Sequence, residues 1–219
     1  MTITKAVDDF KVISFDDHRY SSFDYCYNYF RINKGKALLK DKEKSCAILG
    51  FYLASWGMMR GSSFLLQKSY KYFEGLIEYI SNSDKTSWEI QPSEYVCKSD
   101  FIMHMYNDIS EKVIEDNNRG IVLITKIMLG VFGIVPAFDE YFCKCFKNIN
   151  PSKSRFASFN KDSLEVINQF YIENQKEIDS LSNQIATKDF NDPTISPFNY
   201  PRAKIIDMYG FVVGTSEQY

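Results

Sequence analysis

The sequence predicts an all-α fold, a compact multi-helix domain spanning residues 1–219. Three observations carry that expectation. Apolar residues recur at three- and four-residue spacing in one segment after another, the period of a helix with one face in a core. The chain holds 18 Phe and 15 Tyr against 10 Gly and 6 Pro, a composition that favours continuous elements over a loop-rich sandwich. No run alternates apolar and polar residues as a half-buried strand would.

The first helix is expected over 16–32, with Ser14 as a cap and Phe23, Tyr27 and Phe30 facing the core. The second, over 43–60, carries Ala47, Ile48, Phe51, Tyr52 and Met58 on one flank and Leu49, Leu53 and Trp56 on another. It reads as buried nearly all round and central to the fold. Gly61 breaks it, and Ser62 caps a third helix reaching residue 80, faced by Leu65, Leu66, Tyr72, Phe73, Leu76, Ile77 and Ile80. A loop follows over 81–92. Ser99 then caps a helix to about 115, striped by Ile102, Met105, Ile109 and Val113. Asn117, Asn118 and Gly120 mark a turn. Residues 121–129 are short and apolar, so period alone does not separate helix from strand, and the helical neighbours favour helix. Pro136 suits the first position of a helix reaching 147, and Asp162 caps a longer one to 185. Residues 188–200, with Pro193 and Pro197, form an irregular strap or lid before Pro201 opens the last helix.

Net charge is −2, from 26 basic and 28 acidic residues, which excludes a strongly basic nucleic-acid coat protein. A local basic patch on a near-neutral chain can still bind phosphates. The five cysteines are odd in number and irregular in spacing, which predicts reduced thiols in a cytoplasmic setting. The first ten residues lack the apolar run of a signal peptide, and no stretch is long and apolar enough to span a bilayer, so no membrane partner is expected. Cys143 and Cys145 point to different sides of a helix, and neither His18 nor His104 sits in a metal-binding or nucleophile motif. No metal or organic cofactor is expected.

One segment carries chemistry: residues 125–146, TKIMLGVFGIVPAFDEYFCKCF. A Thr-Lys pair opens an apolar helix, a glycine-containing turn follows, and Pro136-Ala-Phe-Asp139 starts the next helix. This segment resembles the distal part of the helix-hairpin-helix DNA glycosylase superfamily. The resemblance implies a helix-hairpin-helix glycosylase-like fold, with Pro136 at the family's proline and Asp139 at its catalytic aspartate. Thr125 and Lys126 match the polar pair opening the preceding helix. The family's hairpin signature is absent before Thr125, where only Asn118-Arg119-Gly120 stands, and no cysteine follows Cys145 to hold an iron–sulfur cluster. No residue matches the lysine of the lyase members, so the implied activity is monofunctional.

Independent physical reasoning supports the position. An aspartate in the first turn of a helix meets the positive end of the macrodipole, which favours its negative charge. Breaking an N-glycosidic bond develops positive charge on the sugar, and a fixed carboxylate beside it stabilises that charge and orients or deprotonates water. The target base must leave the duplex and enter a pocket with stacking surfaces, for which Phe51, Tyr52, Trp56 and Phe138 are candidates. Lys126, Lys144, Arg202 and Lys204 are candidate contacts to the DNA backbone. The substrate is then a damaged or modified base. The competing expectation is a non-catalytic helical protein binding a protein or nucleic-acid partner, with Asp139 serving only to start its helix.

Overall fold

A computed structural model describes residues 1–15, 17–115, 120–192 and 194–216. The expectations placed on Asp16, Asn117, Asn118, Arg119 and Pro193 lie outside them. Among the described residues there are ten α-helices joined by short 3-10 turns, one π turn and no named strand. Their buried side chains form one connected cluster.

A helix not expected from the sequence precedes the others. Thr2 accepts the Lys5 N–H and starts α1, Ile3–Ile13, whose Ile3, Ala6, Val7 and Phe10 make a buried stripe. The next helix, α2, covers Ser22–Ile32 rather than starting at residue 16, because His18 caps a 3-10 turn ahead of it. Phe23, Tyr27 and Phe30 are buried on α2 as expected.

Asp41 caps α3, Lys42–Ser55. This helix stops five residues short of the expected end, where Gly57 turns left-handed at φ 81°. A Cβ there would stand 2.9 Å from Arg60 Nε, which folds over it. Nor is α3 buried all round: Phe51 is 70% exposed. The helix expected over 62–80 is instead two 3-10 turns, Phe64–Gln67 and Tyr70–Phe73, followed by α4, Glu74–Asn82. Extended backbone at Lys68 interrupts it. The four expected stripe residues are buried on α5, Ser99–Val113.

The apolar 121–129 segment is helical. It forms α6, Ile121–Ile127, and continues as a π turn, Met128–Phe132, closed by left-handed Gly133. Residues 136–138 are not helical, and α7 spans Glu140–Phe146. The long helix expected over 162–185 is two, α8, Lys161–Glu173, and α9, Gln175–Gln184. They bend at Asn174, and Asn160, not Asp162, is the cap. The last helix, α10, Arg202–Ser216, is buried all round over residues 203–208. It packs against α1, α7 and α9.

Residues 185–192 and 194–200 form an irregular strap, closed among the described residues by one antiparallel bridge between Ala186 and Asn199. Two buried polar side chains of α2 hold it. Asp24 accepts the Lys188 N–H at 3.0 Å and the Tyr200 hydroxyl at 2.6 Å, and Asn28 donates to the Lys188 carbonyl at 2.9 Å. Burial pushes the Asp24 carboxyl up to about 6, against the pull of its hydrogen bonds.

Candidate functional site

The Thr125-Lys126 pair of α6 clamps the extended residues before α7. Thr125 Oγ1 donates to the Ile121 carbonyl and accepts the Phe138 N–H at 2.9 Å. Lys126 Nζ reaches Asp139 Oδ2 at 3.0 Å, while Asp139 Oδ1 accepts the Phe142 N–H at 3.1 Å and caps α7. From α10, Asp207 accepts the Ala137 N–H at 3.0 Å and the Lys204 ammonium at 2.8 Å. Long-range bonds to side chains therefore satisfy the backbone of 137 and 138, which is why Pro136 does not open the helix.

Both ammonium groups lie against one indole. Lys126 Nζ is 4.7 Å and Lys204 Nζ 4.4 Å from the Trp56 ring centre, and Lys204 also approaches Phe10 and Phe23 at 4.9 and 4.8 Å. Tyr20 packs on the same indole at 4.8 Å. Desolvated contacts of this kind are worth about 2 kcal/mol each. The two carboxylates balance the two ammonium charges, so the network stays neutral inside the core. Trp56 Nε1 is the buried side-chain polar atom among the described residues that lacks a hydrogen-bond partner.

Tyr52 supports the pair from α3. Its hydroxyl donates to the Lys126 carbonyl at 3.1 Å. Burial raises its phenol far above the ordinary range, and the neighbouring Cys26, Asp207 and Asp139 add to this. Gly130, in the π turn, makes room for that ring, since a Cβ there would fall 2.3 Å from Tyr52 Cε1. Single π turns within helices recur at functional sites.

Exposure separates Asp139 from the rest of this network. Its side chain is 17% exposed, against 3% for Lys126 and 1% and 5% for Lys204 and Asp207. Asp139 is thus the charged member that touches solvent.

The structure gathers Asp139, Lys126, Lys204, Tyr52 and Trp56 and separates the other candidates. Phe138 is buried behind the site against Phe142, Phe156 and Phe159. Phe51 faces outward from α3. Lys126 and Lys204, expected on a phosphate-facing surface, are instead buried and ion-paired with Asp139 and Asp207. Arg202 pairs with Asp179 at 2.5 Å and with Gln91 at 3.0 Å, and Lys144 sits partly buried on α7. Sequence reasoning missed Asp207, although its position three residues after Lys204 on a helix is the spacing of an ion pair.

Burial, then the Asp139 carboxylate, pushes the neighbouring Cys143 thiol up to about 12, which keeps it from acting as a thiolate. Among the described residues no group of His, Cys, Asp and Glu is placed to hold a metal ion. No helix there is long and apolar enough to cross a membrane.

A separate cleft of about 700 Å³ opens between α2, α3 and residues 189–191, lined by Tyr25, Tyr29, Phe51, Tyr52 and Phe190 among others. Asp139 is not among its lining residues, but Tyr52 is, and the same side chain reaches Lys126. No family model, curated protein or solved structure matches the chain.

Proposed function

We propose that the protein hydrolyses the N-glycosidic bond of a flipped-out damaged or modified base in DNA, with Asp139 as the carboxylate of the reaction. The observation that supports this reading is the setting of Asp139. It is fixed at a helix N-terminus by the Phe142 N–H, flanked by the buried Lys126 ammonium, and is the accessible member of an otherwise buried charged network.

In this reaction the C1′–N bond breaks and its electron pair leaves with the base, which takes up a proton. The sugar becomes an oxocarbenium-like cation beside Asp139. Water then adds to C1′ and gives a proton to the carboxylate or to solvent. Lys126 holds the carboxylate in place but also reduces its negative field. A productive complex therefore needs Oδ2 to turn from the ammonium toward the sugar, with Trp56 remaining as the partner of the cation.

The test is production of abasic sites in DNA carrying different damaged or modified bases, measured for wild type and for Asp139→Asn. Wild type is expected to generate them on one substrate class, and the variant to be slower by about a hundredfold or more. Absence of abasic sites on every substrate would sink the reading.

One observation favours a second reading, a non-catalytic helical interaction protein. Both oxygens of Asp139 are already engaged within the fold. Under that reading Asp139→Asn alters stability and leaves no lost activity to measure.

A further inference from the structure

We infer that the cleft between α2, α3 and the strap binds single-stranded nucleic acid, whose bases stack on Phe51 and Phe190 while its phosphates meet the lysines of the α2–α3 connection. None of its groups is Asp139, so the proposal stands apart from the hydrolase reading.

The cleft has the size of a ligand site, about 700 Å³ against the ~300–1,000 Å³ usual for such sites. Its two outer walls each present an aromatic ring to solvent. Phe51 on α3 is 70% exposed and Phe190 on the strap 76%. A single exposed apolar residue is commonplace, but here two large rings face one opening. Tyr25 packs edge-on to Phe190 at 5.2 Å, and Tyr29 extends the aromatic lining along α2. Every base has a π-face, so such rings serve as platforms for successive bases whatever their sequence.

The charge at one end of the cleft selects an anionic occupant. Asn33 and Lys44 line it, and the segment joining them carries Lys34, Lys36 and Lys40. These three and Lys44 are exposed and make no ion pair among the described residues. Lys42, by contrast, is held by Glu74 and Glu78. On the opposite wall Asp189 also lines the cleft and accepts the N–H groups of Asn191 and Asp192, while Asp192 accepts the N–H and the hydroxyl of Thr194. Lys44 Nζ lies 5.7 Å from the Tyr29 ring centre, and exposed aromatic rings beside lysines that no carboxylate holds are the two ingredients of single-strand binding. They give a protein of net charge −2 a local surface for phosphates.

Fluorescence anisotropy with labelled single strands of about 15 nucleotides, oligo-dT in one arm and oligo-U in another, tests this on the whole protein. Wild type is expected to bind at least one single strand, more weakly as salt rises, and to bind the corresponding duplex less tightly. Phe51→Ala and Phe190→Ala are each expected to weaken binding about tenfold, and Lys44→Glu to weaken it and flatten the salt dependence. Both phenylalanines are solvent-exposed, and an unchanged thermal midpoint checks that the variants fold. Asp139→Asn is expected to bind like wild type, so loss of base excision and loss of strand binding are separable. No binding of either single strand at low salt overturns the proposal. So does binding, to single strand or duplex, that the two Phe→Ala variants leave unchanged.

Discussion

Lys126 and Asp139 depend on each other unequally. Lys126 is 2% exposed and has one carboxylate within reach among the described residues, whereas Asp139 touches solvent and keeps the Phe142 N–H if the lysine is removed. Removing one member of a buried pair costs about 3–5 kcal/mol, mostly from the charge left behind. Asp139→Asn is therefore expected to destabilise by about 3 kcal/mol and Lys126→Met by less, with the double variant recovering part of the loss. Urea midpoints of the four proteins check this, and simple additivity would show that the pair is not coupled. A second residue-scale expectation concerns Asp24. Its carboxyl titrates near 6 in the folded chain because it is buried, above the ~3.9 of an unfolded aspartate. The folded state thus holds the proton more tightly, so this group's contribution to stability is greatest below about pH 4 and declines as pH rises to about 6. The slope of stability against pH in that window is expected to be less negative in Asp24→Asn than in wild type.

Close approaches set the geometry of the elements around the site. The π turn after α6 brings Gly130 against the Tyr52 ring, and on α10 a Cβ at Gly214 would meet the Tyr141 carbonyl oxygen of α7 at 2.0 Å. Gly130→Ala must push Tyr52 away from the Lys126 carbonyl, and a loss of about 1–3 kcal/mol is expected, as for other overpacked sites. Chemical denaturation of the variant measures it. These contacts also explain what was legible in the sequence. Stripes on one helix face, as in α2 and α5, were plain from spacing alone. The stripe of α1 has the same i, i+3, i+4, i+7 spacing at Ile3, Ala6, Val7 and Phe10, and is equally legible. The ends of α3 and α7 were not legible, because Arg60 folding over Gly57 and the capture of the 137 and 138 N–H groups are tertiary events. At the site, the Thr125, Lys126 and Asp139 segment was visible as a motif. That Lys126 and Lys204 lie inside the core was not, since lysine is almost never fully buried.

At the scale of the whole molecule, the charged network is where distant parts of the chain converge. Phe10 comes from α1, Phe23 from α2, Trp56 from α3, Lys126 from α6, and Lys204 and Asp207 from α10. Asp139 joins them at the start of α7. The indole at the centre of this convergence has an optical consequence. An excited indole responds to the electric field across its ring, and here two ammonium groups stand within 5 Å of it. The chain has 2 Trp, so Trp88→Phe leaves Trp56 as the sole emitter. Its emission colour then becomes a label-free readout of whether Asp139 is still holding Lys126, shifting when a bound molecule draws the carboxylate away.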